Sequence, residues 1–278
     1  MIDAQSHPFV NVNLGKGLSL ILQSPEAGEL HYPTDRLQKG WLLRYGDDIL
    51  AEEGTGFGLP LIRCGYRTVF PSRAEVVEEG EALVVDYVLN LLERVGPKGR
   101  KSITNEFFGW ARESFCALHR RLPPLRKSLA SLFDGARSLL NLETRFEQIK
   151  PVGTIRVTTE IQPSRLVITA DLGRLERRGC SGVILGNEQG ATYFDCYRDS
   201  SGVVLSGDSI GTWQKVDAAE ASFIDSRHQL RFTLGRRGDA KLFRGRELKP
   251  GKLAWAGLNY VLPPRTKQFR YEIRLQRL

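Results

Sequence analysis

From Pro151 onward the chain keeps a two-residue rhythm, and that rhythm confines this half of the molecule to sheet. In IRVTTEI, residues 155–161, Ile155, Val157, Thr159 and Ile161 fall on one side and Arg156, Thr158 and Glu160 on the other. This is the pattern of an antiparallel strand with one face in a core. RLVITADL follows Pro163 and Ser164 as its hairpin partner. Further strands are expected at 182–185, 191–198, 228–234, 252–258 and 269–275, separated by turns rich in Gly, Asp, Asn and Ser.

The first hundred residues read in the same way. WLLRYGDDILAEE, 41–53, carries a Gly-Asp-Asp turn between apolar runs, and the run at 82–92 is assigned to strand on the strength of Val84, Val85 and Val88. Between the two halves the period changes. Phe107, Ala111, Phe115, Leu118 and Leu122 recur at helical spacing, Pro123 and Pro124 end that run, and Leu125, Leu129, Leu132, Phe133, Ala136 and Leu140 form a second one. The expected fold is therefore mainly β: an antiparallel β-sandwich, extended and many-stranded, with a two-helix insertion near the middle. Residues 1–97 form the N-terminal β-rich part, 98–150 the amphipathic helical insertion and 151–278 the C-terminal antiparallel part, as one extended domain or two. A doubly wound α/β fold is excluded, because helical crossovers between strands are missing.

Three glycines on alternate positions, Gly54, Gly56 and Gly58, imitate a phosphate-gripping loop. Such a loop must lead into a helix whose free N–H groups face the phosphate, whereas here Pro60 and the β-forming run LIRCGYRTVF follow. The glycines are read as a turn or bulge in a sheet. The four cysteines, Cys64, Cys116, Cys180 and Cys196, have no metal spacing, and His7, His31, His119 and His228 are scattered, so neither a metal site nor a cofactor is expected. No export signal or membrane-spanning run is visible, and a reducing cytoplasmic location without membrane contact is expected.

The net charge of +8 is unevenly spread: the first 93 residues are acidic, and 98–137 and 227–252 are basic. Arg112, Arg120, Arg121, Arg126 and Lys127, with Arg236, Arg237, Lys241, Arg244 and Arg246, are what a nucleic-acid partner would contact, but no recognition motif accompanies them. The apolar stripes of the helical segment offer a surface for oligomerisation.

Ligand chemistry concentrates elsewhere. In ATYFDCYRD, Tyr193, Asp195 and Tyr197 are expected on one side of a strand, with Phe194 and Cys196 entering the core. Two flat rings flanking an acceptor suit a sugar, whose C–H face packs on aromatics while its hydroxyls need directed hydrogen bonds. Trp41, Trp213 and Trp255 are platform candidates. Arg63, Tyr66 and Arg67 could serve a carboxylate or phosphate, with Arg63 and Arg67 on one face of an unbroken strand, and His228 could move a proton. The candidate ligand-binding set is thus Arg63, Tyr66, Arg67, Tyr193, Asp195, Tyr197 and His228. The expected function is binding of a carbohydrate or another polar anionic ligand. The alternatives are a carbohydrate-active enzyme, such as a lyase on acidic sugars, or a structural or nucleic-acid-associated protein.

Overall fold

The structure is a computed structural model that describes residues 9–25, 33–65, 67–79, 82–97, 142–176, 180–249 and 253–278. A small sheet takes β1 (Phe9–Gly15), β2 (Leu18–Gln23), β3 (Leu42–Tyr45) and β4 (Asp48–Ile49) in sequence order. The remaining strands form one large sheet. They are β5 (Gly56–Cys64), β6 (Arg67–Glu79), β7 (Ala82–Pro97), β8 (Leu142–Gln148), β9 (Thr154–Gln162), β10 (Arg165–Asp171), β11 (Gly182–Gln189), β12 (Phe194–Asp199), β13 (Val204–Ser206), β14 (Gln214–Lys215), β15 (Glu220–Asp225), β16 (Leu230–Gly235), β17 (Lys241–Lys249), β18 (Leu253–Leu262) and β19 (Gln268–Arg277).

The order across the large sheet is β13-β12-β15-β16-β19-β10-β9-β7-β6-β5-β11-β18-β17-β14, with β8 beside the second half of β7, and neighbours are antiparallel. Strands from before and after residues 98–141 therefore share one ladder, as where β11 pairs with β5. The sheet folds back on itself. Phe57 of β5 meets Phe232 of β16 edge-on with ring centroids 5.2 Å apart, and Tyr260 of β18 meets Tyr271 of β19 at 4.9 Å. The inner rows of the layers β5-β11-β18 and β9-β10-β19-β16 make the core.

The alternation at 155–161 places Ile155, Val157 and Thr159 inside, and Thr159 is tolerated there because its hydroxyl accepts the Trp41 indole N–H at 3.1 Å. Trp41 is thus a core residue, and not a binding platform. The glycine-rich stretch is a bulged strand. Gly58, at φ +76°, is the extra residue between Phe57 and Leu59, and a side chain on Gly56, at φ +81°, would strike the backbone of Gly40.

The helices read between 104 and 140 lie outside the described residues, and no α-helix occurs among the described ones. The end of the expected insertion is not helical: Leu142–Gln148 is strand β8, paired with β7, whose edge is left free where β9 stops. An assembly contact through a helical pair has no support here. Among the described residues no helix is long and apolar enough to cross a membrane.

The layers are tied by a buried polar side chain, Asn187. Its Oδ1 accepts from the Tyr271 hydroxyl at 2.8 Å and the Gly58 N–H at 3.2 Å, and its Nδ2 donates to the Leu185 carbonyl at 3.2 Å. Replacing Asn187 with leucine strands the Tyr271 hydroxyl and the Gly58 N–H without partners. We expect Asn187→Leu to lose about 2–4 kcal/mol in denaturant unfolding. Tyr271→Phe, costly on its own, should cost markedly less in the Asn187→Leu background.

Candidate functional site

Opposite the core, one row of the sheet is almost bare of side chains. Gly56, Glu188, Gly257 and Gly245 lie directly opposite one another across β5, β11, β18 and β17. Glu188 is the single side chain of that row, and it lies flat over Gly257, where a Cβ would come within 2.8 Å of its Cγ. The Trp255 indole lies over Gly245 in the same way, at 2.5 Å from where a Cβ would stand. The glycines thus let a carboxyl and an indole settle onto the sheet surface.

Each flanking group is placed by strand register. Asn259, two residues from Gly257 on the same face, donates from Nδ2 to Glu188 Oε1 at 2.6 Å, and the Thr55 hydroxyl donates to Oε2 at 2.9 Å. Glu247 sits opposite Trp255; its Oε2 accepts the indole N–H at 3.2 Å and its Oε1 the Thr212 hydroxyl at 3.1 Å. Trp213, with φ +52°, brings its ring 6.5 Å from Trp255 and 6.0 Å from Phe243. Glu188 and Asn259 are buried, while Trp213, Phe243 and Glu247 are half-buried and front the cluster.

Glu53 joins from the turn before β5, where its Oε2 accepts the Ala254 N–H at 3.1 Å. Burial pushes its carboxyl up to about 7 against the lowering effect of that hydrogen bond and of Lys39, with Glu247 and Glu188 adding to the rise. Burial also raises Glu188, against the hydrogen bonds from Asn259 and Thr55. The Lys39 ammonium is occupied by Asp35 and the Glu52 carbonyl, each at 2.6 Å. The cluster can therefore present one carboxyl, Glu53, that is uncharged near neutral pH, alongside aromatic rings.

The residues singled out from sequence scatter. Arg63 shares the outer face but stands six residues along from Glu188, about 20 Å away at strand spacing. Arg67 is not on its face: the strand breaks at Gly65, and the register sets Arg67 opposite Cys64 and Arg63 opposite Thr68. Tyr66 lies outside the described residues. In β12 the alternation is interrupted at Asp195, where the register against β15 shifts. Phe194 and Tyr197 are both buried as a result, and Asp195 is exposed. Tyr197 donates to Asp199 at 2.9 Å and stacks under Arg244, so Tyr193, Asp195 and Tyr197 do not form one surface.

Tyr193 and His228 do come together, with rings 5.6 Å apart, where the small sheet meets the large one. The basic strip is broken too. Arg244 donates to the Ile210 carbonyl, and the buried Arg246 donates to that of Ala191. Glu188, Glu247 and Asn259 were not anticipated. The one signal was the polar triplet Asn-Glu-Gln at 187–189, which reads as turn and is strand.

No protein-family model matches the chain, and no curated protein does. Among solved structures it is similar to an alpha-N-acetylgalactosaminidase from Bifidobacterium bifidum in complex with GalNAc, at a TM-score of 0.49 and 11% identity. That match covers 97% of this chain, which spans only 36% of the length of the other. It is also similar to an aldose 1-epimerase candidate from Escherichia coli, at a TM-score of 0.41 and 10% identity over 97% of this chain and 100% of that one. Identities this low transfer no site residue.

The raised Glu53 sets the sign of a pH effect. The folded state holds its proton up to about pH 7 while the unfolded chain releases it near 4.5, so stability is lost as pH rises through that window. The loss amounts to about 3 kcal/mol. Glu53→Gln keeps an acceptor for the Ala254 N–H and carries no charge. Thermal unfolding from pH 4.5 to 8 is expected to show a smaller decline in the variant, which should be more stable than the parent at pH 8.

Proposed function

We propose that the outer face of β5, β11, β18 and β17 binds a carbohydrate, and that the sugar is neutral. The observation that carries this reading is Glu188 in its row of glycines, hydrogen-bonded to Asn259 and Thr55 and bordered by Trp255. A sugar needs hydroxyl acceptors and donors at fixed positions and a flat apolar surface for its C–H face. Glu188, Glu247 and Asn259 supply the first, and the half-buried Trp213 and Phe243 the second.

Charge favours a neutral ligand over an acidic one. A uronate or phosphorylated sugar would enter beside Glu53, Glu188 and Glu247, where burial already raises Glu53 and repulsion from the other two carboxyls adds to the rise. A ligand anion would add to that repulsion in a poorly solvated place. A lyase on acidic sugars is disfavoured for this reason. A second reading, acid–base chemistry on the bound sugar, rests on Glu53: a carboxyl titrating near 7 can give or take a proton at physiological pH.

The test is a panel of neutral oligosaccharides, matched uronates and sugar phosphates, read by tryptophan fluorescence and calorimetry. Neutral sugars should bind at pH 6.5 and perturb the emission. Glu188→Gln should weaken them about tenfold or more, and Trp213→Ala should abolish the fluorescence response. Acidic sugars binding more tightly than neutral ones, or neutral binding untouched by both substitutions, would overturn the proposal. Reducing-end release or anomer exchange that vanishes in Glu53→Gln would support the enzymatic reading.

A further inference from the structure

Where the small sheet meets the large one, five side chains stack in a line. Arg277 lies over the Tyr45 ring, Tyr45 against His228, His228 against Tyr193, and Arg227 over Tyr193, at 5.3, 5.1, 5.6 and 5.6 Å respectively. The layers come from separate places: Tyr45 from β3, Tyr193 from the turn before β12, His228 and Arg227 from the β15–β16 turn, and Arg277 from the end of β19. Arg277 also donates to the Tyr45 hydroxyl at 2.5 Å.

The imidazole at the centre has a carboxylate at each nitrogen. Nδ1 is 2.6 Å from Asp225 Oδ2, and Nε2 is 3.7 Å from Asp48 Oδ2. Asp225 is fully buried and held by the N–H groups of Arg227 and His228, so it cannot turn away, and Asp48 stands in solvent on β4 of the small sheet. A neutral imidazole has one N–H: it can serve Asp225, and its Nε2 lone pair then faces a carboxylate. With a proton on both nitrogens the ring serves both carboxylates, and both tyrosine faces then border a cation.

We propose that His228 is a proton-operated clasp that fastens the β3–β4 hairpin of the small sheet to the β15–β16 turn of the large one. The charged groups around the ring are Asp225, Asp48 and, near Tyr193, Glu52 on the acidic side, and Arg227 and Arg277 on the basic side. The arginines sit beyond the tyrosines, while Asp225 touches the ring. A ring protonated on both nitrogens is paired at once with Asp225 of the large sheet and Asp48 of the small one, and so ties the two together. The inference stands apart from the sugar site.

The experiment is a pH titration of the histidine C–H signals by NMR, with His228 assigned from its disappearance in His228→Asn, or by eliminating His7, His31 and His119 in turn if that variant does not fold. The His228 midpoint should move down in Asp48→Asn. Amide exchange in β3 and β4, corrected for the intrinsic pH dependence, should show about tenfold more opening at pH 8.5 than at pH 6 in the parent, with a smaller ratio in Asp48→Asn. A midpoint indifferent to Asp48→Asn, or exchange in β3 and β4 that does not change with pH, would overturn the clasp.

Discussion

Three consecutive polar side chains on β11 hold this structure in register with its chemistry. Asn187 points inward and takes the Tyr271 hydroxyl of the facing layer, and Gln189 points inward to bond the Leu43 N–H and the Trp41 carbonyl at the entry of the small sheet. Glu188, between them, must therefore point outward, because a strand alternates its faces. The backbone N–H of Asn187 donates to Asn259 Oδ1 at 2.9 Å, and Asn259 in turn donates to Glu188. One hydrogen-bonded chain runs from the middle of the core to the outer carboxyl. A buried polar network of this kind fixes a unique arrangement only when each member is satisfied.

The consequence for the outer face is electrostatic. Register fixes Glu188 among glycines and Glu53 against the Ala254 N–H, so neither carboxyl can leave its low-dielectric position to find water. Burial raises both carboxyls, Glu53 to about 7, and the nearby Glu247 adds to the rise at each. At Glu53 the face can thus offer an uncharged carboxyl near neutral pH, beside aromatic rings. At the junction of the two sheets Asp225 accepts the N–H groups of Arg227 and His228 and faces the His228 imidazole at 2.6 Å.

The sheet character of the chain was legible because it depends on local alternation, which IRVTTEI and its partner RLVITADL show without help from distant residues. The glycines of β5 were also readable as structural, since Pro60 forbids the helix a phosphate loop needs. What stayed hidden depended on register. An extra residue at Asp195 turns Tyr197 inward, and a turn at Gly65 sends Arg63 and Arg67 to opposite faces; one side chain's worth of slip is enough to dissolve a candidate surface. The cluster of Glu53, Glu188, Glu247 and Asn259 is assembled from segments 201 residues apart at its extremes of hydrogen bonding, and no spacing in the sequence encodes it. Asn187-Glu188-Gln189 looked like a turn because three polar residues within a strand are costly unless partners lie across the fold.

On the outer face, burial holds the Glu53 carboxyl protonated into the physiological range. Infrared difference spectroscopy of the protonated-carboxyl band measures this directly. The band should persist at pH 6, fall with a component centred at about 7, and lose that component in Glu53→Gln. Complete ionisation of every carboxyl below pH 5.5, or a titration unchanged in the variant, would contradict it.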